Sequence, residues 1–591
     1  MANSNIELVR ALDKIRLGNL YVHNDELSDV NFTTSSLKRR KVYLVETLAV
    51  INALVDRGTM LLYGGHGGGK TTLAKYLGQV FYKLSKDEIE DCILRGHPQL
   101  TEEKILGSLD IAQLTRAKEL NAAKKVDVIW NDFVDSPWKI IDEINRLSPY
   151  AQNILLSLLA ESSVKYHNES KRLGNFTLFA TMNPTDVASH EMSLPFKDRF
   201  AIALPITMPD YESLSTIGKK DKSSKQDDLL NYLTDFDIET VQNEVKEIRY
   251  SEEAELFINV IISSYRLCDR ISKESNDSIT VEKGLCNGCH FNAPEKVCNK
   301  VIHPLSVRVK EDLYRYGKAL AWYLGDKEVE LRHIKVLAPF MIWHRSSLSK
   351  SFKNELKEGR FDSGVFSLNI ELDSTKELIE KISFEFEGLL PLLKKFESVK
   401  KGKLSLEDFQ AFVSSIKQSN NNFLITIKEI VPVLEQAYVP VYKEIIDYNK
   451  KIESSQNLEQ LSKLKQELLS RYEIPNRQYL ADLIEKERRK IGSKSFSETK
   501  FKLAFDNFIE LASKECLDLY KLIKLRFNTE FNPSERKTET LSDISDSDFQ
   551  LTMEKVSEGL KEGKKNYSLR FAYRGSQDNP VYNFLKKNNV G

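Results

Sequence analysis

The chain has 591 residues, which is too long for a single hydrophobic core and predicts several domains. Apolar residues make up 41% of it and charged residues 29%, a balance typical of a folded globular protein and not of a disordered one. Lys plus Arg and Asp plus Glu both total 86, so the net charge is zero and no protein-wide attraction to nucleic acid or anionic lipid is indicated.

After an N-terminal arm over residues 1–40, short apolar runs alternate with helical periodicity across residues 41–210. Helical spacing predicts helices at Val42–Asp56 and from Thr71 to about Leu84. Strands that alternate with helices are typical of a parallel sheet, so we predict an α/β domain here. Buried strands are predicted at Thr59–Tyr63 and Phe176–Thr181, and further strand candidates are Val126–Trp130 and Trp138–Asp142.

The pattern changes after residue 210, where strand-like runs nearly vanish and amphipathic helices dominate. Residues 211–350 predict a helical lid that a cysteine-rich insert over 268–298 interrupts. Residues 351–591 are highly charged, and their periodicity predicts a mostly α-helical C-terminal region. The clearest helices are predicted at Val309–Leu324, Leu331–His344, Asn457–Arg471 and Tyr479–Lys490. Leu458, Leu461, Leu464 and Leu468 form an apolar face at helical spacing, for which packing in a core or bundle is favoured over a groove for a partner.

A glycine-rich segment lies between the first predicted strand and the helix that follows it. Glycines let backbone N–H groups wrap a phosphate chain, and the positive end of the next helix faces the anion. Lys70 is expected to reach the β- and γ-phosphates and the Thr71 hydroxyl to ligate Mg²⁺, with Thr72 beside it. The residues that match G-x-x-x-x-G-K-[ST] and predict an ATP site are Gly64, Gly65, His66, Gly67, Gly68, Gly69, Lys70 and Thr71.

Three further polar segments lie near predicted strands. Asp142 and Glu143 end an apolar strand, so one carboxylate can bind the Mg²⁺ shell and the other can activate water as a general base. Asn183 follows another buried strand and can position that water. Arg199 can stabilise charge on a neighbour's γ-phosphate, although the sequence alone favours a surface salt bridge. Together these residues predict hydrolysis of ATP to ADP and phosphate.

A longer pattern surrounds these motifs over about residues 45–345. It resembles the MoxR branch of the AAA+ ATPases, which implies an ATP-dependent ring, usually a hexamer, in which Arg199 acts in trans. The residues that carry the resemblance are Arg95-Gly96-His97-Pro98, Leu106-Gly107, Asp142-Glu143-Ile144-Asn145-Arg146, Pro149, Ala151-Gln152, Leu155-Leu156, Leu159-Ala160-Glu161, Ala180-Thr181-Met182-Asn183-Pro184, Leu194-Pro195 and Asp198-Arg199-Phe200.

The resemblance also implies what the ring does. Two inserts, within Asp110–Asp135 and Ser162–Asn175, are expected to face the pore or a partner and to move with the nucleotide state. Members of the family often act with a protein that carries a von Willebrand A domain. The implied function is a chaperone that matures, loads or remodels a protein client.

The chain departs from the family pattern at two places. His66 lies in the glycine-rich loop where the family usually has proline. The lid reads Ser306-Val307-Arg308 where the family usually has Ser-Pro-Arg, so Arg308 is the candidate for the sensor-2 arginine. Residues from about 351 onward match no family pattern.

Four of the six cysteines fall close together in the lid. Cys286 and Cys289 form a chelating C-x-x-C pair, and Cys268 and Cys298 would complete a tetrahedral zinc site, with His290 as a substitute for one of them. We predict a structural Zn²⁺, and buried cysteines without metal are the alternative. The pair with His290 also fits a haem-attachment spacing, which we reject because no export signal is present.

The rival function is a nucleic-acid motor, which Lys-rich stretches such as 38–41, 400–403, 485–490 and 561–565 suggest. Acids neighbour most of these stretches, so solvated helix faces are favoured and nucleic acid is not. No apolar run reaches the roughly 18 residues of a membrane span, and no signal peptide is predicted. We therefore expect a cytoplasmic ATPase that uses ATP and Mg²⁺ and whose partners are its own copies and a protein client.

Overall fold

The computed structural model describes most of the chain, in two compact units. One unit is Met1–Leu393 with Asn421–Lys428, and the other is Lys394–Asn420 with Glu429–Gly591. The predicted domain boundaries at residues 210 and 350 stay predictions. The residues that the structure describes are 2–18, 25–27, 29–65, 67–110, 127–161, 163–167, 169–184, 190–207, 236–265, 296–349, 352–355, 369–418, 430–455 and 458–495.

A parallel sheet in the order β2-β5-β8-β1-β9 forms the centre of the first unit. Shorter antiparallel ribbons pair β3 with β4 and β6 with β7, and β10 pairs in parallel with β11. The strands are β1 Gly58–Tyr63, β2 Ile93–Arg95, β3 Gly107–Leu109, β4 Val128–Trp130, β5 Trp138–Asp142, β6 Ser163–Tyr166, β7 Glu169–Arg172, β8 Thr177–Met182, β9 Ile202–Pro205, β10 Arg249–Tyr250 and β11 Glu328–Val329.

Helices cover the sheet and form the lid. The first unit contains α1 Ala2–Gly18, α2 Leu44–Leu54, α3 Lys70–Tyr82, α4 Lys86–Asp91, α5 Glu102–Leu106, α6 Asp132–Asp135, α7 Pro149–Ala160, α8 Leu194–Lys197, α9 Ile238–Glu247, α10 Glu252–Ser264, α11 Val307–Leu324 and α12 Leu331–Ile342. A long helix, α13 Ile370–Lys400, runs from the first unit into the second.

The central strands form because their side chains are apolar on both faces. Met60, Leu62, Ile140, Phe179 and Ala180 are all fully buried, as expected for parallel strands that helices cover on both sides. The predicted parallel α/β core is therefore confirmed. One predicted strand does not belong to the parallel sheet. The strand predicted at Val126–Trp130 is β4, and it pairs antiparallel with β3, Gly107–Leu109, in a separate ribbon.

The lid helix α11 is joined to the start of β1 by a buried hydroxyl. Tyr316 Oη accepts from the backbone N–H of Thr59 at 3.0 Å and donates to Asn52 Oδ1 at 2.7 Å. The helix ends at Gly325, whose φ of +85° is the left-handed conformation that glycine adopts without strain. These contacts fix the amino end of β1 against the lid.

The second unit is helical in its described part, which confirms the predicted helical C-terminal region. On the helix Leu458–Ser470, the predicted apolar face is buried at Leu461, Leu464 and Leu468. No helix in the described residues is long and apolar enough to cross a membrane. The elements of this unit after α13 are α14 Leu406–Gln418, a π-helix at Val433–Tyr438, α15 Tyr442–Ser454, α16 Leu458–Ser470 and α17 Arg477–Ser495.

Candidate functional site

The glycine-rich loop leaves the carboxyl end of β1 and leads directly into α3 at Lys70. Gly67 and Gly69 both have φ of +76°, which a residue with a side chain rarely adopts. Gly64 donates to the Met182 carbonyl at 3.0 Å, so the loop begins against the end of β8. His66 lies outside the described residues. The loop thus has the glycine conformations that a phosphate-wrapping backbone requires.

Lys70 is folded back onto its own loop. Its Nζ donates to the carbonyls of Gly64 at 2.9 Å and Gly65 at 2.5 Å. Burial lowers the pKa of Lys70, while the nearby charges of Asp142 and Glu143 raise it. The ammonium group therefore lies inside the loop that the sequence predicts for phosphates.

Asp142 connects the ends of two other strands to α3. Its Oδ1 accepts from the Thr71 hydroxyl at 2.8 Å and from the Thr181 hydroxyl at 2.6 Å. Carboxylate and hydroxyl oxygens are the ligands that Mg²⁺ takes from proteins in phosphate sites. The oxygen donors at this point therefore have the chemistry that fits a Mg²⁺ ion.

Thr181 contacts both acids, although the sequence analysis predicts no role for it. Besides its bond to Asp142, its Oγ1 accepts from the backbone N–H of Glu143 at 3.0 Å. A threonine at the end of a buried strand is common, so only the strand order, which sets β8 beside β5, reveals the contact. Thr181 thereby holds both acidic residues in place.

Glu143 has an unusual backbone. Its φ of +53° is left-handed, a conformation that costs a residue with a side chain of order 1–3 kcal/mol and is common at functional sites. Gly96 packs against it so closely that an added Cβ would lie 2.1 Å from the Glu143 carbonyl oxygen. Its side-chain Oε2 pairs with Arg146 at 3.0 Å. The left-handed turn and the Arg146 pair therefore hold Glu143 at this edge of the sheet.

Asn183 follows β8 directly and is buried. Its carbonyl accepts from the Asn145 side chain at 2.8 Å, which ties the end of β8 to the turn after Glu143. In register, Met182 lies beside Tyr63, the last residue before the glycine-rich loop. Asn183 therefore lies at the same edge of the sheet as the loop and the two acids.

Arg199 lies at the opposite end of the sheet. Thr59, the second residue of β1, donates its hydroxyl to the Arg199 carbonyl at 2.8 Å. The glycine-rich loop begins only after Tyr63, and four strand residues rise by about 13 Å. Arg199 therefore lies on the far side of the sheet from the phosphate loop of its own chain.

Arg308 lies beside Arg199 and not beside the glycine-rich loop. Its Nη1 pairs with Asp198 at 3.1 Å, and the Ser306 hydroxyl donates to the same carboxylate at 2.7 Å. Burial first, and the charge of Arg308 second, lower the pKa of Arg199. Both arginines line a cavity of about 840 Å³, together with Arg57, Lys310 and Arg315. This arginine cavity lies at the amino end of β1, and its five basic side chains outnumber the three acidic ones, Asp198, Glu311 and Asp312.

The predicted zinc site cannot be assembled from the described part of the chain. Cys268, Cys286, Cys289 and His290 all lie outside the described residues. Cys298 is half-buried in a 3₁₀ turn at Val297–Asn299. Among the residues that are described, no group of three or more His, Cys, Asp or Glu is placed to hold a metal ion.

The family model described as AAA domain (dynein-related subfamily) matches residues 59–200. The match runs from the first strand through the glycine-rich loop and both acids to the residue after Arg199. The chain carries a MoxR-type AAA+ domain. The resemblance seen in the sequence is thereby confirmed.

Two relatives match part of the chain at low identity. YeaC of Bacillus subtilis is 26% identical over 224 residues, which are 36% of this chain and 63% of YeaC. MoxR of Methylorubrum extorquens is 26% identical over 162 residues, which are 27% of this chain and 43% of MoxR. The chain thus spans less than two thirds of either relative. A solved structure from Cytophaga hutchinsonii is similar at 18% identity with a TM-score of 0.42, covering 64% of this chain and 94% of that one.

Proposed function

We propose that this protein hydrolyses ATP in a Mg²⁺-dependent reaction. The observation that carries the proposal is the Asp142 carboxylate, which accepts from Thr71 at the start of α3 and from Thr181 at the end of β8. A phosphate loop, a carboxylate and two hydroxyls thereby meet at the carboxyl edge of one parallel sheet. This edge is where α/β sheets bind ligands.

The residues divide the chemistry among them. Lys70 neutralises phosphate charge, and Thr71 and Asp142 hold the metal. When bound, Mg²⁺ offsets the charge that develops on the phosphate oxygens. Glu143 accepts the proton of the attacking water at its carboxylate once Arg146 releases it, and Asn183 orients that water. A residue in each of these roles is present at one edge of the sheet.

We further propose that the active form is a ring of copies, with a hexamer as the expected size. Arg199 and Arg308 lie at the amino end of β1, away from their own glycine-rich loop, and the buried Nε of Arg199 has no hydrogen-bond partner in the described part of the chain. A neighbouring copy that presents its nucleotide to the arginine cavity would supply the anion that this charge requires. Arg199 then acts in trans, and Arg308 acts from the same face.

The work done by the ring is proposed from the family resemblance. We propose a chaperone that remodels or matures a protein client, with a von Willebrand A domain protein as the expected kind of partner. The family model and the relatives support the AAA+ ATPase domain, whereas the client is proposed from the family resemblance. A structural Zn²⁺ on Cys268, Cys286, Cys289 and Cys298 remains a proposal from sequence spacing.

The described Lys-rich stretches are paired with acids, which supports a protein client over nucleic acid. Lys41 pairs with Glu26 at 2.7 Å, and Arg488 pairs with Glu485 at 3.0 Å. Lys400 pairs with Glu397 on the same helix. Neutralised side chains of this kind add little to a salt-dependent affinity for phosphates.

The test measures phosphate release by the wild type and by Lys70→Ala, in the presence and absence of Mg²⁺. We expect turnover that needs both Lys70 and the metal. A Glu143→Gln chain loaded with ATP then captures partners from native lysate, and the eluate is assayed for protein and for nuclease-sensitive material. Absence of Lys70-dependent turnover contradicts the ATPase proposal. Nucleic acid that survives high salt and stimulates turnover contradicts the protein client.

A further inference from the structure

Three consecutive residues at the end of the lid helix α12 donate to the segment that carries Arg199. Trp343 Nε1 donates to the Ala203 carbonyl at 2.7 Å. His344 Nε2 and Arg345 Nε both donate to the Phe200 carbonyl, at 2.7 Å and 3.0 Å. Trp343, His344 and Arg345 are called the lid clamp here, because they hold the chain on both sides of the start of β9.

Arg345 also connects the clamp to the acids of the arginine cavity. Its side chain is 1% exposed, and its Nη2 pairs with Asp312 at 2.6 Å. Its Nε lies 3.9 Å from Asp198, the carboxylate that also holds Arg308. Asp312 in turn holds Arg315. One buried guanidinium therefore reaches the counter-ions of two arginines that line the cavity.

His344 is a fixed donor in this arrangement. A carbonyl oxygen only accepts, so Nε2 must carry the hydrogen towards Phe200. Full burial and the charge of Arg345 hold the pKa of His344 well below its usual value, so the ring stays neutral. The clamp therefore does not change its protonation near neutral pH. It acts on the Arg199 segment through the position of its donors and not through a change of charge.

We propose that the lid clamp positions Arg199, so that the lid of one subunit sets the reach of its arginine into the site of the next. The inference rests on the proposed trans role of Arg199. The Arg199 segment is otherwise joined to the sheet by Thr59, through its contacts with the Arg199 carbonyl and with Ala201. Because Arg345 contacts neither the glycine-rich loop nor the acids at the other edge, its loss leaves nucleotide binding intact.

The first arm compares kcat and KM of Arg345→Lys with those of the wild type. Lysine keeps the charge, but one ammonium group cannot reproduce the planar fork that reaches Phe200 and Asp312 together. We expect kcat to fall by about 10- to 100-fold, the scale of a misplaced catalytic group, with an unchanged KM for ATP. Trp343→Phe is a milder second variant, which keeps an aromatic side chain and removes the indole N–H that donates to Ala203.

The control is Arg332→Gln on the same helix. Arg332 pairs with Asp326 at 2.6 Å and with Glu330 at 2.9 Å, and it has no hydrogen bond or ion pair with the Arg199 segment in the described part of the chain. Its loss removes two ion pairs of the lid, and Asp326 keeps its contact with His333. We expect it to leave kcat within twofold of the wild type.

The second arm mixes variant subunits, because a positioning role in trans and a folding defect give different results. A Lys70→Ala subunit has no working site of its own but offers an intact Arg199. We expect Arg345→Lys mixed with Lys70→Ala to exceed the summed activity of the two variants measured separately. Arg199→Ala mixed with Lys70→Ala serves as the reference pair and is expected to recover in the same way.

The outcomes separate the two claims. Recovery in both mixtures supports the inference, and the same holds for Trp343→Phe if Arg345→Lys fails to fold. Recovery in the reference pair alone, or a normal kcat for the clamp variants, overturns the inference and leaves the proposed function standing. Failure of the reference pair overturns the trans role of Arg199, and the inference falls with it.

Discussion

The two ends of the parallel sheet carry different parts of the proposed ATPase site. At the carboxyl end, Lys70, Thr71 and Asp142 are joined by hydrogen bonds that α3, β5 and β8 supply. At the amino end, Arg199 and Arg308 line a wide cavity with acids as their counter-ions. One end therefore has the phosphate loop and the two acids, and the other has Arg199 and Arg308 far from that loop.

Under the proposed ring, this difference means that one chain alone does not complete the site. The reason is the distance along β1, because Thr59 and Tyr63 are separated by about 13 Å. Thr59 contacts Arg199, and Tyr63 precedes the loop. A second copy that docks its loop edge against the arginine cavity brings the two halves together, so the comparison makes distinct predictions for each end.

The largest effect is expected from Arg199→Ala. Without its charge in the transition state, kcat should fall by roughly 10³- to 10⁵-fold, while the ATP affinity stays unchanged because the loop edge is intact. Steady-state turnover and nucleotide titration measure the two quantities. Arg95→Ala, which removes an exposed pair with Glu90, is the control and should change neither. A loss of ATP affinity in Arg199→Ala would place this arginine at its own nucleotide.

The next effect is expected from Glu143→Gln. Glutamine keeps the size of the side chain but cannot take a proton, so kcat should fall by about 10²- to 10⁴-fold with ATP still bound. Rapid-quench measurement of bound ATP checks that the loss lies in the chemical step. Asp135→Asn, an exposed acid before β5, is the control. Full turnover by Glu143→Gln would show that another group is the base.

A smaller effect at the same edge is expected from Thr181→Val. Valine removes the hydroxyl that holds both Asp142 and the backbone of Glu143, and a hydrogen bond to a charged group is worth about 1.5–3 kcal/mol. Turnover should fall by about 10- to 100-fold. Thr177→Val, at the amino end of the same strand, is the matched control. Equal losses in both variants would attribute the effect to the strand and not to Asp142.

The sequence predicted the loop edge better than the arginine edge, and the reason is locality. Lys70, Thr71, Asp142 and Glu143 lie in short motifs beside apolar runs, so each can be recognised from its neighbours. The role of Thr181 and the contact of Arg308 with Asp198 depend on strand order and on how the lid packs. Thr181 lies 39 positions from Asp142 and Arg308 lies 110 positions from Asp198, so no local pattern encodes either contact.

The same limit explains the missed secondary structure. Ile93–Arg95 is only three residues long, and nothing in its composition separates β2 from a loop. The backbone of Gly96 approaches that of Glu143 closely. The sequence shows Gly96 only as part of a motif and does not reveal this contact. In contrast, Leu461, Leu464 and Leu468 were predicted as a packed face because helical spacing alone reveals them.

The smallest effect is a change of stability with pH at Lys139 on β5. Its Nζ is buried among the carbonyls of Phe133, Val134 and Ser136, and burial lowers its pKa from 10.5 to about 7. Between these values the unfolded chain binds the extra proton, so stability rises with pH across this window and the penalty is complete below it. The Lys139→Met variant lacks this dependence.

Urea unfolding of both proteins at about pH 7 and about pH 9 measures the difference. The free energy of unfolding of the wild type should rise relative to Lys139→Met by at most about 1.4 kcal/mol per pH unit. A difference that stays flat would mean that the three carbonyls keep the ammonium group charged in the folded protein. That outcome would leave the comparison of the two sheet ends unchanged.

The most direct test of the composite site is the structure of Glu143→Gln assembled with ATP and Mg²⁺, determined by cryo-electron microscopy. The account predicts that the phosphates lie on the loop before Lys70, with Thr71 and Asp142 at the metal. It also predicts that Arg199 of the neighbouring subunit reaches the γ-phosphate. A nucleotide whose phosphates contact only its own chain, with Arg199 directed elsewhere, would contradict the account.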